Sequence, residues 1–524
     1  MKNCILIFVL WISYLSISAQ SLGLVEGKNH NDIYVLFNQK NITVHFYNDN
    51  FAIISGEYKG SLQYALLEEN GFDKEFKYFV QYFNENELPK LKESISGIGE
   101  ILFSNQNISI IKISEESILQ FKPIKNDALV FFDENKAFIS DNYQSKFNYE
   151  VSYKQEIASI LDIVNTDSIE ATISYLSSFT TRDCYSSEVV NALNWIKSKF
   201  ESYGLRTTVQ NLSSYGIPSF NVIATQPGTE GELEVKADSI EYVIVGGHAD
   251  SYSNGATAPG ADDNASGVAG VLEIARILSE YTFEHTIIYC AFSGEEYGLF
   301  GSNYFATDLN NNNKNVIGYV NLDMIGYKHE SQTLHTSLIY PYSANDLADY
   351  YKNICSTYLP DFGVEDGYLF GGDSDHTSFN NQGYMGIFPF EDVYYYSPYI
   401  HSINDILGLS VNSLELAENL TGAALATVAS LAGNTTVLSE GSNLSDHNYF
   451  MMYPNPVSSE LHINYSGYQS ADIELFNILG ELIIKKTIEG SDNINVSNLS
   501  SGTYFVKLTS GDHTLVKKCV IKGN

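Results

Sequence analysis

The sequence predicts an α/β protein with a largely parallel central sheet and helices on both faces, flanked by a β-rich N-terminal region and a C-terminal β-sandwich. Apolar residues recur every three or four positions in one stretch, which predicts an amphipathic helix: Val189, Leu193, Ile196, Phe200 and Tyr203. Gly204 then supplies a helix stop. Short apolar strands alternate with helical segments after it: Asn221–Thr225, Tyr242–Gly246, Val268–Leu278 (helical), Thr286–Phe292 and Val316–Leu322. That alternation is typical of a parallel sheet with helical crossovers.

Length and charge limit the classes of function. The chain has 524 residues, which at roughly 100–200 residues per domain predicts about three domains. There are 29 Lys+Arg against 63 Asp+Glu, for a net charge of −34. A chain this acidic is a poor partner for nucleic acid or for an anionic membrane surface, since both need clustered basic residues.

Residues 1–19 predict a secretory signal peptide. Lys2 precedes an apolar run from Cys4 to Ile17, and Ala19 ends the segment with a small residue. The run is shorter than the roughly 20 residues of a spanning helix, and no later stretch is long and uncharged enough. We therefore expect an exported protein with no integral membrane span. The wide spacing of Cys184, Cys290, Cys355 and Cys519 predicts buried thiols or at most one bridge.

Two β-rich regions flank the predicted α/β domain, which spans residues 156–432. Residues 20–155 contain short strand-like runs separated by Asn, Asp, Gly and Lys. These runs are Ile33–Phe37, Ile42–Tyr47, Phe51–Ile54, Tyr78–Phe83, Ile108–Ile113 and Ala128–Phe132. The region could be a propeptide, a folding aid or a structural cap. Residues 433–448 predict a linker, and residues 449–524 predict a small β-sandwich.

Acidic and imidazole residues follow the ends of the predicted strands or precede helices in the α/β domain. They are His248, Asp250, Asp262, Asp263, Glu295, Glu296, Asp323 and His401. In an open α/β sheet the carboxyl ends of the strands form the ligand crevice, so these side chains are expected to converge.

Each of these residues also has an ordinary structural interpretation. His248 could be a hydrogen-bonded core histidine, Asp262 and its neighbours an N-cap, and Glu295 part of a helix first turn. Several carboxylates and imidazoles in one crevice, however, need a cation to offset their repulsion. A mixed His and carboxylate set without cysteine suits zinc, with manganese or cobalt as substitutes.

Six strings in this domain resemble those of the co-catalytic zinc aminopeptidases, the bacterial leucyl aminopeptidase family. They are GGHADS (246–251), PGADDNASGVA (259–269), SGEEYGLFGS (293–302), NLDMIGY (321–327), SDHTSF (374–379) and YIHSINDIL (399–407). The resemblance covers roughly residues 165–432, with all motifs in family order. It implies the zinc exopeptidase fold and two Zn²⁺ per chain.

The resemblance also implies a role for each matching residue. It places His248 and Glu296 on one zinc, Asp323 and His401 on the other, and Asp262 between both. Glu295 matches the general base. Asp250 matches a carboxylate that orients His248.

Further residues match the walls of the family's site. Asp375 and His376 match a second layer around the metals, although His376 is an alternative ligand to His401. Positions that line the side-chain pocket in the family are occupied here by apolar or aromatic residues: Met324, Phe388, Phe390, Tyr394 and Ile400. They imply a preference for an apolar first residue, although ordinary core packing explains them equally well.

The C-terminal region is similar to the sorting domains of the type IX (Por) secretion system of Bacteroidota. The similarity rests on Tyr453–Val457, Gly502–Leu508 and Lys517–Lys522. It implies export to the cell surface or medium with the type IX machinery as partner. An ordinary β-sandwich accessory or carbohydrate-binding module is the alternative.

The expected function is a secreted metallo-exopeptidase that hydrolyses the N-terminal bond of peptides or proteins through a zinc-activated water and a Glu base. A carboxypeptidase, a dipeptidase or a glutaminyl cyclase of the same fold is the alternative enzyme. A non-catalytic binding module is a remote alternative, because such modules typically lose metal ligands.

Overall fold

The computed structural model describes residues 21–522 except for 84, 122–128, 138–148, 152–153, 230–239, 370–373, 434–435, 438–449, 454–456, 466–469, 479, 489, 491 and 511–512. The predicted signal peptide and most of the predicted linker lie outside the described residues, as does the Pro454–Pro456 part of the C-terminal motif. Among the described residues, no helix combines the length and the apolar character needed to cross a bilayer.

The N-terminal region consists of two antiparallel four-stranded sheets, as its β-rich pattern predicts. Their orders are β2-β3-β1-β4 and β6-β7-β5-β8. The strands are β1 (Leu22–Glu26), β2 (Ile42–Tyr47), β3 (Phe51–Gly56), β4 (Gln63–Glu68), β5 (Phe76–Tyr82), β6 (Gly99–Ser104), β7 (Ile108–Ser114) and β8 (Leu129–Phe132). Two short helices accompany them, α1 (His30–Tyr34) and α2 (Leu88–Ser94).

One predicted strand of this region is wrong. The run Ile33–Phe37 begins inside α1 instead of forming a strand. The side chain of Asn29 accepts hydrogen bonds from the backbone amides of Asn31 and Asp32, which caps the helix at its start. The local cap therefore outweighs the strand preference of the apolar run.

The middle of the chain forms a mixed eight-stranded sheet with order β16-β15-β17-β14-β11-β13-β10-β9. Helices before the sheet are α3 (Gln155–Leu161), α4 (Thr166–Leu176) and α5 (Ser187–Ser202). The strands are β9 (Arg206–Asn211), β10 (Phe220–Gln226), β11 (Glu241–His248), β13 (Thr286–Phe292), β14 (Asn315–Asn321), β15 (His335–Ile339), β16 (Gly363–Gly367) and β17 (Gly386–Phe390). The other helices are α6 (Gly267–Leu278), α7 (Phe300–Asn311), α8 (Asn345–Tyr358), α9 (His376–Asn381) and α10 (Leu414–Leu431).

The predicted parallel core is confirmed at the centre of this sheet. Strands β13, β11, β14 and β17 run parallel. Strand β10 pairs antiparallel with β13 and β9, while β15 pairs antiparallel with β17 and parallel with β16. The predicted amphipathic helix is α5, and Gly204 follows it at φ 82°, a left-handed conformation that favours glycine. The short strands β12 (Tyr281–Thr282) and β18 (Thr436–Val437) pair with each other beside the sheet.

The C-terminal region forms two antiparallel sheets, with orders β19-β20-β23 and β22-β21-β24-β25. The strands are β19 (Phe450–Tyr453), β20 (Glu460–Tyr465), β21 (Ala471–Asn477), β22 (Leu482–Ile488), β23 (Asp492–Asn495), β24 (Gly502–Ser510) and β25 (His513–Ile521). Buried side chains from both sheets, such as Leu461 and Leu475, share one apolar cluster. This packing is the sandwich that the sequence predicts.

The two flanking regions contact the central domain differently. Phe79 and Phe131 of the N-terminal sheets pack in one apolar cluster with Ile217 and Phe300 of the central domain. The apolar cluster of the C-terminal sandwich contains only residues between 452 and 521. The N-terminal sheets therefore share a core with the domain that carries the site.

Candidate metal centre and active site

The predicted site residues converge at the carboxyl ends of the parallel strands. His248 is the last residue of β11, and Asp323 follows β14 by two residues. Glu295 and Glu296 follow the end of β13 by three and four residues, and His401 lies in the loop between β17 and α10. Because β11 lies between β13 and β14 in the sheet, the three strand ends meet around His248.

Two groups of possible metal ligands form there and share one carboxylate. The first group is His248, Asp263 and Asp323, and the second is Asp263, Glu296 and His401. The two oxygens of Asp263 point to different groups. Oδ1 lies 3.2 Å from His248 Nε2, and Oδ2 lies 3.0 Å from His401 Nε2.

The shared residue differs from the sequence expectation by one position. Asp262 belongs to neither group; its Oδ1 accepts a hydrogen bond from the Gly326 amide at 2.9 Å, and it lies beside Glu391. Consecutive side chains in this turn point in different directions, and Asp405 holds the turn by accepting the amides of both Asp262 and Asp263. The sequence expectation of Asp262 as bridging residue is therefore replaced by Asp263.

The pairing of the other residues also differs from the expectation. His248 lies 3.3 Å from Asp323 Oδ1, and His401 lies 3.1 Å from Glu296 Oε2. The expected pairs were His248 with Glu296 and Asp323 with His401. The first observed pair joins the ends of β11 and β14, which lie side by side in the sheet.

Neighbouring polar groups hold the first group in place. The Nδ1 of His248 lies 3.1 Å from the backbone oxygen of Asp250, whose carboxylate accepts the amide of Glu295 at 3.3 Å. The Ser374 hydroxyl donates to Asp323 Oδ2 at 2.6 Å. Asp250 therefore lies where the sequence predicts an orienting residue, with its backbone oxygen in contact with the ring.

The second group has buried polar atoms that a cation would satisfy. Both carboxylate oxygens of Glu296 and the Nε2 of His401 have no hydrogen-bond partner among the described residues, although they lie close to each other. Unsatisfied buried polar atoms are costly unless an ion or water binds them. His401 also has φ 56°, a left-handed conformation that a non-glycine residue keeps only when its surroundings fix it.

The electrostatics indicate the same need for positive charge. Burial opposes protonation of His248, but Asp323 and Glu295 outweigh it and raise its pKa well above the usual value. Burial likewise opposes protonation of His401, but Glu296 and Asp263 raise its pKa. Burial raises the pKa of Glu296 to about 8. The site therefore favours bound positive charge, and its His and carboxylate donors fit zinc.

Glu295 lies at the site without belonging to either group. Its Oε2 is 3.9 Å from His248 Nε2, and its side chain is buried. Burial raises its pKa well above that of an ordinary carboxyl, and the carboxylates of Asp323 and Asp375 contribute in the same direction. A carboxylate held this way readily takes up a proton.

An apolar cavity opens beside the two groups, and four of the five expected pocket residues line it: Met324, Phe388, Phe390 and Ile400. The fifth, Tyr394, is 85% exposed and lies outside the cavity. The backbone amide of Tyr394 donates a hydrogen bond to the carboxylate of Asp392, and the resulting turn directs the Tyr394 side chain outward. Leu369 and Tyr396 complete the wall instead.

His376 and Asp375 lie behind the cavity wall. The ring of His376 is 5.3 Å from that of Phe388, and burial lowers its pKa to about 3, so the ring is neutral. Burial raises the pKa of Asp375 to about 7. His376 belongs to neither ligand group among the described residues.

Sequence reasoning missed Asp405 and Arg182. Arg182 is fully buried and donates to the backbone oxygens of Ala249 and Gly260, so it joins the two loops that carry His248 and Asp263. The chain contains three arginines, and this rarity was the sequence signal that could have drawn attention to Arg182. Asp405 lies four residues after His401 within a string that the resemblance already quoted.

Comparison with known proteins identifies relatives of two regions of the chain. Residues 221–424 match the family model described as peptidase family M28. Probable zinc metalloproteases of the fungi Pyrenophora teres f. teres and Pyrenophora tritici-repentis are 37% and 36% identical over 199 residues. Those alignments cover 33% of this chain and 41% and 44% of the relatives, so the chain spans less than half the length of the curated relatives it matches.

Solved structures share the fold. The Legionella pneumophila aminopeptidase LapA has a TM-score of 0.56 and 22% identity, covering 68% of this chain and 99% of its own. LapB of the same organism has a TM-score of 0.54 and 21% identity, covering 69% and 100%. Residues 451–522 match the secretion system C-terminal sorting domain. The middle of the chain therefore resembles peptidase family M28, and its C-terminal region resembles a secretion-system sorting domain.

Proposed function

We propose that the protein is an exported aminopeptidase that uses two zinc ions and prefers an apolar first residue. The observation that carries the proposal is Asp263, whose two carboxylate oxygens each face a different histidine and thereby join two ligand groups. His248, Asp323 and Asp263 would hold one ion, and Glu296, His401 and Asp263 the other. Zinc in such sites polarises the scissile carbonyl and lowers the pKa of a water molecule.

Glu295 is the proposed general base. The water oxygen attacks the carbonyl carbon, and Glu295 takes the proton that this water loses. It then delivers the proton to the amine released when the C–N bond breaks. The position of Glu295 supports this role, because its carboxylate lies 3.9 Å from His248 Nε2 and lines the cavity without belonging to either ligand group.

The lining of the cavity favours the amino end of a peptide over the carboxyl end. Carboxylates of Asp263, Glu295 and Glu296 face the cavity, and none of the described residues that line it is a Lys or Arg. A substrate carboxylate would find no basic partner there, whereas an α-ammonium group is attracted by the acidic wall. The apolar walls formed by Met324 and Phe388 suit a first residue such as Leu, Phe or Met.

The C-terminal sorting domain supports export through the type IX machinery. The predicted signal peptide would bring the chain across the inner membrane first. We place the enzyme at the cell surface or in the medium, where peptide N-termini are its substrates.

Paired substrates test the activity. Zinc-loaded protein should hydrolyse leucinamide and fail on N-acetyl-leucinamide, and chelation should abolish turnover. Glu295→Gln should lower kcat by about 10²- to 10⁴-fold while retaining zinc, measured by elemental analysis. Efficient cleavage of the acetylated substrate would refute the aminopeptidase assignment.

Two matched pairs of variants test the ligand set. Asp263→Asn should lower the zinc content of both positions, whereas Asp262→Asn should keep it. His401→Ala should lose about one ion per chain, and His376→Ala should keep both. If Asp262→Asn lost zinc and Asp263→Asn kept it, Asp262 would be the ligand. In the same way, zinc loss in His376→Ala but not in His401→Ala would make His376 the ligand.

A further inference from the structure

A second cavity lies between the N-terminal sheets and the central domain, and we call it the interdomain groove. The turn between β2 and β3 forms one wall through Asn48, Asp49 and Asn50. The other wall comes from Tyr340 and Tyr368 near the ends of β15 and β16 and from residues of α9. Both parts of the chain are therefore needed to form it.

The interdomain groove adjoins the candidate active site. Leu369 and Phe388 line both the groove and the apolar cavity beside the metal ligands. His376 also lines the groove, with its ring against Phe388.

In an aminopeptidase only the leaving part of the peptide extends beyond the site, so a groove next to the site could hold only that part. The base delivers its proton to the leaving amine, so the leaving segment starts beside Glu295. The N-terminal sheets contact the segments next to that point. The Phe131 amide donates to Gly298 O at 3.1 Å, just after Glu295, and the Tyr47 hydroxyl donates to Asn380 O at 2.8 Å in α9.

The groove is preformed and mostly uncharged. The Asn48 side chain accepts the amides of Asn50 and Phe51 at 2.8 and 3.0 Å, which fixes the β2–β3 turn. The Asp49 carboxylate accepts the amide of Tyr342, whose ring stacks on His30 with centroids 3.7 Å apart. Neutral amide and phenol groups on a rigid surface suit a peptide backbone rather than a charged ligand.

We propose that the β2–β3 turn forms the far wall of a binding site for the residues that follow the scissile bond. The N-terminal region would then contribute directly to substrate recognition, and the enzyme would favour peptides longer than dipeptides. This proposal rests on the aminopeptidase function proposed above. Binding energy from these remote residues raises kcat/KM for longer substrates.

The test compares a short and a long substrate in matched variants. The full-length zinc-loaded enzyme should hydrolyse Leu-Ala-Ala-Ala with a higher kcat/KM than leucinamide. Asn50→Trp fills the exposed rim of the groove and should lower kcat/KM for the tetrapeptide about tenfold, mainly through KM, while leucinamide changes less than about twofold. Asn70→Trp, on an exposed turn of the same region away from the groove, should leave both substrates unchanged.

Binding supplies a readout that does not depend on turnover. Titration calorimetry of the tetrapeptide into Glu295→Gln protein should show about tenfold weaker binding when Asn50→Trp is added. An equal loss on both substrates, or no loss on the tetrapeptide, would overturn the proposal. Absence of hydrolysis of both substrates by wild type would instead refute the aminopeptidase function, and the calorimetric comparison would still decide the groove.

Discussion

The N-terminal sheets and the C-terminal sandwich are both β-rich regions that flank the peptidase domain, yet they are attached in different ways. Phe131 of the N-terminal region packs against Phe300 and Tyr215 of the peptidase domain, with ring centroids 4.7 and 5.7 Å away. Lys77 extends this contact, because its Nζ lies 5.5 Å from the Tyr215 ring and 5.6 Å from the Phe300 ring. The sandwich keeps its own core, centred on residues such as Leu475.

The difference indicates two kinds of accessory region. A region that shares a core with the catalytic domain folds with it and can shape its site. A region with a separate core behaves as a domain that can be lost without affecting the chemistry. The N-terminal region thus forms one folding unit with the central domain, and the C-terminal region suits a removable sorting device.

Truncation is the strongest test of the difference between the two flanking regions. Removing residues 1–132 should give insoluble or unfolded protein, because it exposes the apolar surface around Ile217, Leu299 and Phe300. Removing residues 449–524 should leave kcat/KM for leucinamide within about twofold. Soluble yield, circular dichroism and kinetics check both. A soluble, active 133–524 fragment would show that the N-terminal region is dispensable.

Metal removal should separate the two regions by their thermal transitions. Ligand binding stabilises only the unit that binds, by about 4 kcal/mol at a free concentration 1,000-fold above Kd. Chelation should therefore lower the transition of the peptidase unit by several degrees or more and leave the sandwich transition in place. Differential scanning calorimetry of full-length protein with and without chelator measures this. If chelation lowered the temperature of both transitions, the two units would not have separate cores.

Single core substitutions should act on different transitions. Phe131→Ala should destabilise the peptidase transition by about 3–5 kcal/mol, because a buried ring at the shared core is lost. The matched change Leu475→Ala should cost about 2–5 kcal/mol and act only on the sandwich transition. Denaturant unfolding measures the loss of stability in each variant, and calorimetry shows which transition is affected. If Phe131→Ala created a third transition, the N-terminal region would fold independently.

Much of the fold could be predicted because its signals are local. The apolar period of α5 and the strand alternation of the central domain depend on neighbouring residues, and both predictions were confirmed. The run Ile33–Phe37 was wrong because one side-chain cap at Asn29 decided its structure. The packing of Phe131 on Phe300 joins residues distant in the chain and left no local signal.

The site was predictable in its residue types but not in its geometry. The sequence could not distinguish Asp263 from Asp262, because the choice depends on how Asp405 holds the turn. It could not pair His248 with Asp323 either, since that requires the order of strands in the sheet. Tyr394 was displaced from the pocket by its turn at Asp392, which is a similarly local backbone effect.

The smallest expected effect concerns the polar contact between the sandwich and the peptidase domain. Lys517 Nζ lies 2.6 Å from Glu280 Oε2, with both side chains partly exposed. Burial lowers the pKa of Lys199 in α5, and the nearby charge of Lys522 contributes in the same direction, so like charges also face each other between the two regions. A double-mutant cycle of Lys517→Ala and Glu280→Ala should therefore give a coupling of about 0.5 kcal/mol or less. A coupling of about 2 kcal/mol or more would mean that the sandwich is held as firmly as the N-terminal sheets, and the distinction between the two regions would fail.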